Sequence, residues 1–443
     1  RSRQVKIRWM IVSCVLCSVG SIAQEYPREL KFSPQEQQMW QLSMQRPLGH
    51  NAQTALQGLK ITTPSLQAFW WAQRCRFALQ SQDKAELEAA RLALKQLETS
   101  TGSSEFAGSA AGYKCLQLSQ FKRGESAATR QLSFLAFHSL TERDAVALHA
   151  WVGLDYARDA LASGFYDSAD QAVGLVLHIA RQNQLQQLEA DSLWVQAEVK
   201  QAMALYPEAL RSIDAAMALQ TDPGQRSHLQ LMLADVLLAS GRRQEAQAQY
   251  QALWQQQSVR AGLALLELYL QADHLAQAQQ LSSQLQQAAL QSGERELIAI
   301  SRLRHAMLLL AQGEVTAATQ LFDDAGGWLA QHRLALYLPE QLSWAQRLSD
   351  AGQHQAAFSA SQHSLRLQRQ LDADNNQAQA QLSSTLLIAE QRGRELKLVE
   401  LQQQLKASRA QADARVSKLW LLGVPATLMA GLLAVWAWRR RRY

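Results

Sequence analysis

The feature that most constrains this chain is a pair of residues recurring through its central part. A small or turn-forming residue stands five positions before an alanine six times: Gly164/Ala169, Ala204/Ala209, Gly241/Ala246, Asp273/Ala278, Gly313/Ala318 and Gly352/Ala357. Seven residues ahead of each turn position comes Ala157, Ala197, Ala234, Leu266, Ala306 or Ala345. Successive turn residues lie 40, 37, 32, 40 and 39 positions apart. Two antiparallel helices approach closely only where side chains are small, so each unit is expected to be a helix, a tight turn and a second helix. Tyr166 and Tyr206 follow their turns, while Tyr250 and Phe322 take a bulky position in the second helix. Abundant Gln, Ala and Leu, with only 8 Pro in 443 residues, make the expected fold class all-α.

This layout resembles the tetratricopeptide repeat in a degenerate form, since the proline that ends each consensus unit is missing. A generic helical bundle is the alternative. The resemblance implies an α-solenoid over 64–365, preceded by short helices over 24–63. Ser33-Pro34-Gln35-Glu36 reads as the start of one of those helices, with a Ser cap, Pro at the first helical position and Glu at the third. Cys75 and Cys115 are 40 apart, and Cys115 is 42 before Ala157, so both take the small first-helix position. Side chains there are expected to face their own second helix, which favours Cys as a small buried residue in place of Ala. A disulfide between them is the alternative.

Beyond the repeats, 366–417 has no Pro and a single glycine, Gly393, and reads as one long helix. Leu398, Leu401, Leu405, Ser408, Ala412 and Arg415 alternate as the seam of a coiled coil. Leu371, Ala378, Leu382, Leu386, Ala389, Gly393 and Leu396 form a second stripe in shifted phase, like a stutter. The expectation is a homodimeric stalk, with a lone amphipathic helix as the alternative. Leu419–Trp438 carries no charge over twenty residues, about 30 Å of helix, and is expected to span a membrane within 418–438. Lys418 and Trp420 mark one interface. Trp436, Trp438, Arg439, Arg440, Arg441 and Arg442 mark the other, and the basic tail 439–443 is expected on the cytoplasmic side. Arg1, Arg3, Lys6 and Arg8, the apolar run Trp9–Ser21 and the small residues Ser21 and Ala23 read as a signal peptide over 1–23.

Charge and motifs narrow the function. The chain has 44 Lys+Arg against 38 Asp+Glu. Four of the basic residues stand at each terminus, which leaves 36 against 38 between them, so no nucleic-acid partner is expected. No G-x-S-x-G, phosphate-binding glycine loop, H-E-x-x-H or dinucleotide fingerprint occurs, and the 10 His are scattered. Asp372–Asn376 begins like a calcium loop but lacks the sixth-position glycine and has Ser383 at the twelfth position. No enzyme activity, cofactor or metal is expected. What remains is the inner face of a solenoid, where extended ligands bind. Trp70, Trp71, Trp151, Trp194, Tyr269 and Trp344 lie on expected first helices and are the candidate contact residues, each set against ordinary packing between repeats.

Taken together, these parts resemble the periplasmic input half of bacterial tetratricopeptide-containing diguanylate cyclases and similarly built sensor histidine kinases. Leu367–Ala412, with its core at Arg394–Gln402, and Trp420–Arg442 carry the resemblance. It implies a single-pass bacterial inner-membrane protein with its N-terminal domain in the periplasm. The solenoid would bind a periplasmic protein, peptide or small ligand and relay the signal through the stalk. No Gly-Gly-Asp/Glu-Glu-Phe or phospho-accepting histidine signature is present, so no catalytic residue carries over. The alternative is a scaffold for envelope proteins that transmits nothing.

Overall fold

A computed structural model describes residues 30–44, 58–59, 61, 64–81, 83–100, 110, 112, 114–115, 127–140, 144–373 and part of 376–410. Helices α1 (Pro34–Met44), α2 (Pro64–Ser81), α3 (Lys84–Ser100) and α4 (Ala127–His138) come first. Six helical hairpins follow. They are α5 (Val146–Ala162) with α6 (Tyr166–Gln182), α7 (Gln186–Ala202) with α8 (Tyr206–Leu219), and α9 (Pro223–Ala239) with α10 (Arg243–Gln255). Then come α11 (Val259–Gln271) with α12 (Leu275–Ser292), α13 (Arg295–Ala311) with α14 (Val315–His332), and α15 (Leu334–Asp350) with a last helix, α16. This last helix starts at 354 and is helical at every described position to 410. No strand occurs among the described residues.

The hairpin turns share one geometry. Gly164, Ala204, Gly241, Asp273, Gly313 and Gly352 all have left-handed backbone, with φ from 56° to 89°. At each turn the next residue's N–H returns to a carbonyl five positions back, as Phe165 to Ala160 at 2.9 Å and Glu314 to Leu309 at 2.9 Å. That bond occupies a helix-end carbonyl which would otherwise be orphaned, and it demands the left-handed residue. Close packing of the two helices follows. Ala157, Ala197, Ala234, Leu266 and Ala306 are sealed from solvent against Ala169, Ala209, Ala246, Ala278 and Ala318.

First helices of successive repeats touch at three places: α5 packs on α7, α11 on α13 and α13 on α15. Second helices of successive repeats have no comparable contact, so the first helices form the inner face of the solenoid. The Cα atoms of Cys75 and Cys115 lie 5.7 Å apart and their sulfurs are bonded. The sequence register turned each cysteine toward its own second helix. The structure corrects this for these two residues, whose side chains are buried and turned toward each other.

The N-terminal helix docks by polar contacts at its start. Ser33 and Glu36 cap each other reciprocally, with the Ser33 N–H donating to Glu36 Oε2 at 2.7 Å and the Glu36 N–H to Ser33 Oγ at 3.3 Å. Glu36 Oε1 also accepts from the Ala147 N–H at 3.1 Å, so one buried carboxylate occupies orphan donors at the starts of both α1 and α5. Phe32, Trp40, Phe69 and Trp151 then continue as a chain of ring contacts into the core.

The expectation of a single-pass inner-membrane protein with a periplasmic N-terminal domain is corrected. Among the described residues no helix is long and apolar enough to cross a membrane. The physical reason is polar content: α2, α12 and α14 reach 18 residues, but each is interrupted by Gln or charged side chains, such as Arg74 and Arg76 in α2, Gln279 and Gln280 in α12, and Asp323 and Asp324 in α14. The longer α16 carries Arg366, Arg369 and Asp372. Leu419–Trp438, the tail 439–443 and the signal segment 1–23 lie outside the described residues.

Candidate functional site

All six candidate aromatics lie on first helices: Trp70 and Trp71 on α2, Trp151 on α5, Trp194 on α7, Tyr269 on α11 and Trp344 on α15. The structure does not bring them together in one site, and their surroundings differ. Trp344 is buried and stacks on Phe322 of α14 at 4.4 Å between centroids. Trp151 is buried too, edge-on to Phe69 and beneath the ammonium of Lys114, which pairs with Asp155. Trp70 and Trp71 meet edge to face, and the Arg74 guanidinium lies over both rings at 4.7 and 4.2 Å. Arg74 in turn pairs with Glu86 of α3, which ties these rings to their own hairpin. Tyr269 is half-buried, and its hydroxyl accepts from Gln251 Nε2 at 3.2 Å.

Trp194 is the candidate that lines a cleft. With Val195 and Glu198 it forms one wall of a cleft of ≈ 500 Å³, while Arg158, Leu161 and Ala162 of α5 form the other. The spacing follows from the helices: Trp194 and Glu198 are four apart on α7, one turn along the same side. The indole Nε1–H donates to Glu198 Oε1 at 3.0 Å and orients that carboxylate. Burial raises the carboxyl pKa of Glu198, against the opposing pull of Arg158 and of the indole hydrogen bond. On its other side Trp194 stacks with His228 of α9. The cleft therefore combines an apolar floor with a guanidinium about half exposed to solvent and a partly desolvated carboxylate.

Farther along the inner face, opposite charges lock the first helices together. Arg304 on α13 pairs with Glu340 of α15 at 2.8 Å and donates to the Leu263 carbonyl of α11. Arg347 on α15 reaches back to Glu267 of α11 at 3.1 Å. Burial works against the charge of Arg304, but Glu340 and then Glu267 outweigh it and raise its pKa. These four residues were missed by sequence reasoning. The available signal is their spacing, since Arg304 and Glu340 are 36 apart, close to one repeat. Among the described residues no group of three or more His, Cys, Asp or Glu is arranged to hold a metal ion.

No protein-family model matches the sequence, and no curated protein does. Solved structures do resemble it. One is a Rap protein complexed with Competence and Sporulation Factor, with a TM-score of 0.56 at 13% identity over 77% of this chain and 98% of that one. The apo form of RapI gives 0.57 at 11% identity over 76% and 98%. Aspartyl phosphate phosphatase F from Bacillus subtilis gives 0.52 at 10% identity over 75% and 93%. At such identities the likeness concerns the fold alone: this chain has the TPR-like, all-helical repeat architecture of these proteins.

Proposed function

We propose that this chain is a peptide- or protein-binding module whose inner face takes an extended segment, anchored in the cleft between α5 and α7. The carrying observation is the open cleft itself, with Trp194 partly exposed on an apolar floor between Arg158 and Glu198. Such a site suits one aliphatic or aromatic side chain of a partner, with a neighbouring carboxylate on Arg158 and a main-chain or basic group on Glu198. That a related fold is seen with Competence and Sporulation Factor agrees with this use of the architecture. The ties of Arg304 and Arg347 across α11, α13 and α15 support a relay over a passive scaffold. They tie α11, α13 and α15 to one another, so a shift that reached α11 would be passed on toward α16.

The test is selection of displayed peptides on the full chain, followed by binding measurements on the peptides recovered. The expected result is an apolar residue beside an acidic one, with affinity falling about ten-fold or more in Trp194→Ala and Arg158→Glu. Trp194 and Arg158 are partly exposed, so both variants should keep the wild-type helical spectrum. Selected peptides that bind both variants as tightly as the wild type would place the site elsewhere.

A further inference from the structure

We infer that the open end of the last hairpin, α15–α16, is an interface for a second copy of this chain, paired in parallel along α16. This rests on the repeat register and is independent of the cleft at Trp194. In three earlier repeats the residue thirteen after the turn is covered by the next first helix. Leu177 packs in one buried cluster with Leu193 of α7, Trp254 abuts Gly262 of α11, and Gly326 abuts Tyr337 of α15. The residue ten before the turn is likewise buried at Leu154, Leu263 and Leu303. In the last hairpin the same two positions are Leu365 and Leu342, and they are 58% and 51% exposed. Beside them Phe358 is 66% exposed and helps line a groove of ≈ 380 Å³ between α15 and α16.

What covers this face follows from where α16 goes. Helical at every described position from Leu365 to 410, α16 corresponds to about 70 Å of helix. Phe358, Leu365, Leu387, Leu398, Leu401 and Leu405 are all exposed, and at about 100° per residue they fall within about 60° of one another. The opposite side of the helix, at Ala360, Ser364 and Leu367, is the one buried in the solenoid. Two apolar stretches therefore share this side, Phe358 and Leu365 on the open face and Leu387, Leu398, Leu401 and Leu405 farther along α16, with Arg369, Asp372, Asn376 and Ser383 between them. Two such stretches are matched residue by residue by the same helix in a second copy. Arg369 and Asp372 lie on that side one turn apart, so in a parallel pair each arginine finds the partner's aspartate within a turn. A strip about 70 Å by 10 Å gives roughly 700 Å² per copy, and the α15 groove brings it near the roughly 800 Å² of a stable interface.

The test is light scattering and thiol cross-linking on the full chain in a Cys14→Ser/Cys17→Ser background, since Cys75 and Cys115 are joined to each other. The expected mass is that of two chains. A short bismaleimide should link Leu365→Cys to its own counterpart and Leu405→Cys to its own, but not Ala407→Cys, which lies on the other side of α16. Phe358→Asp, at a position too exposed to affect folding, should weaken the dimer about ten-fold or more. Three results would overturn the inference: a monomer at micromolar concentration, linkage only between Leu365→Cys and Leu405→Cys, or a dimer undiminished in Phe358→Asp.

Discussion

Removing the bond between Cys75 and Cys115 should loosen the first repeats and leave the distant ones alone. The cleanest perturbation is Cys75→Ala/Cys115→Ala, because alanine holds the equivalent first-helix position at Ala157, Ala197, Ala234 and Ala306. Native packing is thereby kept, and the effect falls on the unfolded chain. The bond closes a loop of 40 residues, for which loop-closure entropy corresponds to about 4 kcal/mol at 25 °C. Residual structure in the unfolded chain lowers this, so about 2–4 kcal/mol is expected. Most contacts here join adjacent helices and neighbouring repeats, which keeps the loss local. Hydrogen exchange read by mass spectrometry should show α2 opening faster by about two orders of magnitude, with α13 unchanged. Equal exchange of α2 in the variant and the wild type would refute the reasoning. So would peptide mapping that finds both cysteines as free thiols in the wild-type protein.

Three further outcomes follow from the same geometry. Ala246→Leu, at a fully buried helix crossing, should cost about 1–3 kcal/mol by overpacking; an unchanged thermal midpoint would contradict the close approach of α9 and α10. Glu340→Ala leaves the Arg304 guanidinium largely buried without its main partner and should cost about 3 kcal/mol, read in urea titrations; a double variant with Arg304→Met should recover part of it. The third concerns pH. Because burial raises the pKa of Glu198, its carboxyl holds a proton more tightly in the folded than in the unfolded protein. Its contribution to stability is therefore present at low pH and lost as pH rises from the ordinary carboxylate range through the raised value. Glu198→Gln should remove that slope in stability measured against pH, and a profile identical to wild type would show the carboxylate to be better solvated than the cleft implies.

The repeat register was legible in the sequence because its causes are local. A left-handed residue must end each first helix, and a small residue must sit at each crossing, so Gly164, Gly313, Ala246 and Ala318 declare themselves by spacing. Even Ala204 and Asp273, which lack glycine's freedom, follow from the period of their neighbours. The candidate aromatics behaved differently. Trp151, Trp194 and Trp344 are alike in sequence, each on a first helix, yet two are core and one lines a cleft. Trp344 is buried because Phe322 of α14 stacks on it, and Trp151 because Phe69 of α2 and Lys114 close over it. The pairing of Cys75 with Cys115, the crossing of Arg304 and Arg347 between helices, and the docking of Glu36 on α5 are likewise contacts between segments tens of residues or more apart. Turn geometry and helix periodicity act over a few residues and survive in the sequence by themselves. Burial and ion pairing depend on which surface another repeat presents, and only the tertiary structure decides that.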